Sequence, residues 1–235
     1  MTYFSKVALA ATPALALALA AAPAQAQVGG IATASTIVAI AKAKALIPAY
    51  QQIDGTYKSY YDQIQTKSKE RNDLLVRLDK NGDKKVDQAE MDGAVAAKDP
   101  NLALVDAKEK EMAVLQEPIA KAQMYVVSQI IGKYPAAQQA VVTAKKINMI
   151  LAPDAFVWAP PAVDVTTAIT AEIDRVLPTA TTTAPAGWNP DQQTYEVYQR
   201  VQQMLAAAMQ AQAARAQAPA APAAPASGKA APTGR

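Results

Sequence analysis

From Thr36 to Leu78 large apolar side chains recur at steps of three and four: Ile47, Tyr50, Ile53, Tyr57, Tyr60 and Ile64, then Leu74, Leu75 and Leu78. A second run from Asn101 to Lys146 repeats the pattern with Leu102, Val105, Met112, Leu115, Ile119, Val126, Ile130, Tyr134 and Val141. Such spacing places the residues on one face of an α-helix. Asn81-Gly82 and Asp99-Pro100 interrupt the pattern, so residues 79–100 read as a turn region. Two antiparallel helices of about 40 residues would each reach roughly 60 Å. Their stripes are narrow and their charges frequent, which describes a helical hairpin or coiled coil rather than a compact bundle. Composition agrees. Ala dominates, and the chain has two Phe and two Trp in 235 residues, too few for a large aromatic core. Between Ile64 and Leu74 the stripe fades into Thr66, Lys67, Lys69, Glu70 and Arg71, a stretch expected to be solvated. Pro48 is expected to kink or begin the first long helix, and Pro118 and Pro135 to bend the second.

The flanks have a different texture. Gly29-Gly30 precede a short strand candidate at Ile31–Ala34. Ile147–Leu151 reads as a strand, Pro153-Asp154 as a turn, and Phe156–Ala159 as a further strand. Asp164 can N-cap a helix from Val165 to Leu177, closed by Pro178. A Thr/Ala/Pro linker (179–187) leads to a C-terminal helix (188–216) with Tyr195, Tyr198, Val201, Met204, Leu205 and Met209 on its face. Residues 217–235 are Ala/Pro-rich and expected to be disordered. The expected fold is therefore mainly α with a small β body (α+β). A hairpin at 36–146 hangs from strands near 30–35 and 147–159, with a closing helix at 165–177, all within a domain at 27–178. Three short strands bury too little alone, so oligomerisation through them is the simple remedy.

Lys6, the apolar run Val7–Ala22 and Ala24-Gln25-Ala26 form a secretory signal, with residues 1–26 removed. No later stretch is a transmembrane candidate. The chain has no Cys and no His, which removes disulfides, thiolate nucleophiles, serine triads and His-ligated metals. No catalytic constellation stands out, and no enzyme is expected. Nucleic-acid binding is not expected either, because no basic stripe stands clear of acids.

The sharpest local motif is Asp79-Lys80-Asn81-Gly82-Asp83-Lys84-Lys85-Val86-Asp87-Gln88-Ala89-Glu90. It resembles an EF-hand calcium loop. Asp79, Asn81 and Asp83 would supply side-chain oxygens, Lys85 its carbonyl, Asp87 a water-mediated contact, and Glu90 both carboxylate oxygens. Lys84 stands where EF-hands carry Gly, and three lysines weaken the loop's field for a cation. The competing reading is a polar turn in which Asp87 caps the next helix and Glu90 completes a capping box. No cofactor is required, and calcium is the one the sequence admits.

Residues 145–159, Lys-Lys-Ile-Asn-Met-Ile-Leu-Ala-Pro-Asp-Ala-Phe-Val-Trp-Ala, followed by Val163-Asp164-Val165-Thr166 and the closing helix, resemble the C-terminal signature of the Skp/OmpH periplasmic chaperones. The resemblance covers about Ile31 to Leu177. It is specific at 145–176 and compositional across the hairpin. It implies a homotrimer in which strands from three chains form a β body and three hairpins enclose a cavity. That cavity would hold unfolded outer-membrane β-barrel proteins in the periplasm of a Gram-negative bacterium, beside the outer membrane, without ATP. Such a wall needs diffuse apolar surface, for which Met is suited. Tyr57, Tyr61, Met112, Ile119 and Met124 are the candidate client contacts, the alternative being that they hold the hairpin together. The family is strongly basic, whereas acids and bases balance over residues 31–177 here, so hydrophobic capture would carry more of the binding. Other classes compatible with the sequence are a structural or adaptor coiled coil of the envelope and a calcium-binding protein.

Overall fold

The computed structural model describes residues 30–83 and 85–217. The expected signal segment at 1–26, Lys84 and the tail from 218 onward lie outside the described residues. The elements run β1 (Ile31–Thr33), α1 (Thr36–Ala41), α2 (Leu46–Thr56), α3 (Lys58–Val76), α4 (Gln88–Ala96), α5 (Pro100–Lys145), β2 (Met149–Leu151), α6 (Thr166–Val176) and α7 (Gln192–Gln217). This is a mainly α fold with a small β body.

β1 and β2 pair in parallel, with Ile31 opposite Met149 and Thr33 opposite Leu151. The turns at either side explain how segments so distant in sequence meet. α5 is capped by Lys146, which adopts the left-handed conformation (φ 53°) while Ile147 N–H donates back to Val142 O at 3.0 Å. Asn148 N–H and Met149 N–H then both donate to Gly30 O, at 2.6 and 2.9 Å. Gly30 itself sits at φ +67°, with the Asn148 side chain where a Cβ would go. The pair is extended by Val165 N–H donating to Thr33 O at 2.9 Å and by Ser35 N–H donating to Thr166 Oγ1 at 3.0 Å, so α6 starts against β1. Asp164 Oδ1 accepts from Thr166 N–H at 2.8 Å and caps α6 from just outside it.

Phe156–Ala159 does not form a strand in this chain. Phe156 is extended (φ −113°, ψ 136°), but Val157 and Trp158 are exposed, and β1 is already paired to β2. A strand needs a partner edge, and among the described residues this segment pairs with neither β1 nor β2.

The single helix expected over 36–78 is three helices. Ala41, Ala43 and Ala45 are buried while Lys42 and Lys44 are exposed, an alternation of two that no helix provides. Pro48 lies in the first turn of α2, where it interrupts no intrahelical bond. α5, by contrast, runs unbroken through Pro118 and Pro135 for 46 residues, roughly 70 Å. The core forms where α1, α2, α6 and α7 meet α5. It is built of Ala39, Ile40, Leu46, Ile53, Val126, Val127, Ile130, Ile169, Ile173 and Val201.

Gly30→Ala should destabilise the chain by about 2 kcal/mol or more, since it adds left-handed strain to a steric conflict with Asn148. Urea unfolding checks this, and an unchanged midpoint would contradict the proposed role of the β1 turn.

Candidate functional site

Beyond the body, α3 and α5 form the hairpin. Leu74, Leu78, Val105, Met112 and Ile119 are buried along its seam. The charged stretch expected to be solvated is instead cross-linked to α5. Lys67 pairs with Glu111, Lys108 with Glu70 at 2.8 Å and with Glu111 at 3.5 Å, and Arg71 with Glu109 at 3.7 Å. The hydrogen bond from Lys67 holds the Glu111 carboxyl below its ordinary range, and the one to Glu70 raises Lys108. Exposed pairs of this kind contribute little stability but set register.

The five candidate contacts separate in this arrangement. Met112 (8% exposed) and Ile119 (5%) lie inside the hairpin and offer little surface in this state. Tyr57, Tyr61 and Met124 are half-buried. Tyr57 stacks edge-on with Tyr60, ring centroids 5.5 Å apart. Tyr61 donates its hydroxyl proton to Asp54 Oδ1 at 2.8 Å. Other apolar residues are the exposed ones: Val76, Val95, Leu104 and, most of all, Val114 (69% exposed). Sequence reasoning passed over these four because it followed the stripe. Their signal was their displacement from it: Val114 lies two positions beyond Met112 and Val76 two beyond Leu74, about 200° round the helix.

Where the hairpin meets the body, α7 packs beside α1 and α5. Tyr198 donates its hydroxyl proton to Gln123 Oε1 at 2.9 Å, and Gln202 Nε2 donates to the same oxygen at 3.2 Å. The Tyr50 hydroxyl is buried without a hydrogen-bond partner among the described residues. Burial raises the Tyr50 and Tyr198 phenols, and burial with the Asp54 hydrogen bond pushes Tyr61 up to about 12.

At the hairpin tip, Glu90 folds back over the loop. Its Oε1 accepts from Lys80 N–H (2.7 Å) and Asn81 N–H (2.9 Å), and its Oε2 from Asp87 N–H (3.2 Å). Asp87 Oδ1 accepts from Glu90 N–H at 2.8 Å, which completes the capping box that starts α4 inside the expected turn region. Asp79 and Asp83 accept from Gly82 N–H (2.6 Å) and Lys85 N–H (2.8 Å), and Asn81 from Asp83 N–H (2.8 Å). All six loop residues named from sequence thus share one turn whose side-chain oxygens accept from backbone amides.

The three raised phenols, Tyr50 buried and Tyr61 and Tyr198 half-buried, predict an alkaline transition. Because their folded pKa values lie above the unfolded value near 10, their stabilising contribution is complete below about pH 10. It is lost as pH rises toward the folded values. Tyrosinate absorbance should therefore lag in part until helical circular dichroism falls; full ionisation with the helices intact would contradict this burial.

The chain matches the family described as outer membrane protein (OmpH-like) over residues 30–173. A crystal structure of an OmpH-like candidate outer membrane chaperone from Caulobacter crescentus CB15 is similar at 17% identity and TM-score 0.40, covering 80% of this chain and 100% of that one. No curated protein matches significantly. The family match spans the strand pair, the whole hairpin and most of α6, so this chain belongs to the OmpH-like family, the kinship to which residues 145–176 pointed.

Proposed function

We propose that the protein is an ATP-independent periplasmic holdase that keeps unfolded outer-membrane β-barrel proteins soluble and catalyses no reaction. Family membership across body and hairpin carries the reading. The hairpin surface is consistent with it. Val76, Val95, Leu104 and Val114 are exposed apolar residues dispersed along a charge-balanced rod. Such a surface suits chains in which apolar and polar residues alternate, and it offers no pocket demanding one sequence. Acids and bases balance along it and those at its middle pair with one another, so apolar contact is the capture force.

The assembly proposed is a homotrimer closed through the body. Val157 and Trp158 support it: exposed apolar residues on an extended segment without a partner strand are a template for another chain. Periplasmic residence rests on family and on the signal pattern at 1–26; among the described residues no helix is long and apolar enough to cross a membrane.

The test is to dilute a urea-unfolded outer-membrane barrel into residues 27–235 and measure mass by light scattering on a sizing column. The expected result is a free protein at three times the chain mass that shifts to a soluble client complex. Val114→Glu with Leu104→Glu should weaken client binding roughly tenfold while leaving the trimer intact. A monomer, or a client that aggregates as it does alone, would favour an envelope coiled coil instead.

Calcium binding at the tip is a separate proposal that rests on the EF-hand-like spacing of Asp79, Asn81, Asp83, Asp87 and Glu90; because Glu90 accepts from three amides, a cation would have to displace those hydrogen bonds. Calorimetric titration should show millimolar calcium binding that Glu90→Ala abolishes; no heat from the unmodified chain would leave the loop a capped turn.

A further inference from the structure

α7 lies beyond the family match, and its packing differs from that of the core helices. Among its described side chains only Val201 and Thr194 are buried, with Val197, Tyr198, Met204 and Leu205 half-buried. α6, less than half as long, buries both Ile169 and Ile173 completely. The middle of the α7 contact is polar: Tyr198 and Gln202 share one acceptor on Gln123, and the buried Tyr50 hydroxyl lies beside Gln202 without a well-formed hydrogen bond. A buried hydroxyl without a partner weakens the contact that encloses it. Few apolar anchors around a partly satisfied polar centre place α7 at the low end of local stability.

Its tether suits a part that leaves and returns. Past Leu177 and Ala180, which pack on the core, the segment between α6 and α7 is mostly exposed and is tied to α5 at Gln129 and Tyr125. Gln129 exchanges hydrogen bonds with the Thr181 backbone at 2.8 and 3.0 Å, and Trp188 stacks edge-on against Tyr125 at 5.1 Å. α7 also carries little charge. It bears only Glu196, Arg200 and Arg215 as charged residues, and sets one apolar stripe among Gln and Ala. It occupies the hairpin root beside Tyr50 and Tyr61, a surface that would otherwise be open.

We propose that α7 is a detachable strap, a resident occupant of a client groove at the hairpin root that an unfolded chain displaces. The inference rests on the holdase reading. A strap of this kind lowers apparent client affinity by the fraction of time the groove is open, so a groove open one time in ten binds about tenfold more weakly than a bare one.

The chain has no cysteine, so a pair of engineered thiols is unambiguous. Gln123→Cys with Gln202→Cys, joined by a cleavable bismaleimide, would pin α7 in the full-length protein. Binding of the urea-unfolded barrel should fall tenfold or more when pinned and recover on cleavage. In the unmodified chain, amide exchange in α7 should be faster than in α6 and should accelerate on client addition while α6 is unchanged. If the pinned protein binds the client as well as the cleaved one, α7 is permanent core and the strap is refuted. If neither pinned nor cleaved protein binds client, the holdase reading falls, and the strap with it.

Discussion

The parallel pairing of three residues before the hairpin with three after it is the constraint on which the rest depends. Closing a loop of that length carries an entropy cost that rises only slowly with length, but two three-residue strands are far too short to meet it by themselves. The pair persists because it is built into the core. Ala32, Thr33 and Ala34 are buried, and Thr33 O receives the first amide of the turn into α6. Ser35 caps α1 through its side chain while its own amide donates to Thr166, so one short stretch starts two helices. With both ends tied, α3 and α5 leave the body in a fixed relation.

Charge is used within the hairpin rather than displayed by it. Glu70, Lys67 and Arg71 face Lys108, Glu111 and Glu109, basic against acidic in both directions. The crossed arrangement specifies which residue of α3 meets which of α5, something a seam of Leu, Met and Ile does weakly. The same pairing leaves little net field to steer an acidic partner. Attraction at a distance is thereby exchanged for a rod whose exposed apolar residues stand in a neutral setting.

The helix from Asn101 onward was readable because its stripe is long and its ends are marked, by Asp99-Pro100 before it and by the change to strand texture at Ile147 after it. α6 was readable from Asp164 and Pro178. What escaped was decided by tertiary contact. Ala41 to Ala45 favour helix by propensity, yet alternate burial broke the helix there. α4 fell inside the stretch read as a turn region, although its start was legible in the alternative reading of the loop, with Asp87 as cap and Glu90 completing the box. Phe156–Trp158 has strand composition, but composition does not provide an edge to pair with. At the candidate site the stripe rule identified the seam and therefore missed the surface. Met112 and Ile119 lie on the stripe and are covered; Val114 lies off it and is open.

Stability in this fold is graded along α5. Its middle carries Val126, Val127 and Ile130 against α1, α2 and α6, all fully buried. Toward the tip, burial thins to isolated residues such as Met112 and Val105, backed by exposed ion pairs. On the flank, α7 touches the same helix through Gln123, and the segment before α7 touches it through Tyr125, polar or amphipathic groups that water or another chain could satisfy almost as well. A body that must keep its strand pair closed needs the dry middle. A surface that must accept and release partners is better served by contacts whose loss costs little, and α5 provides both because its apolar density changes along its length.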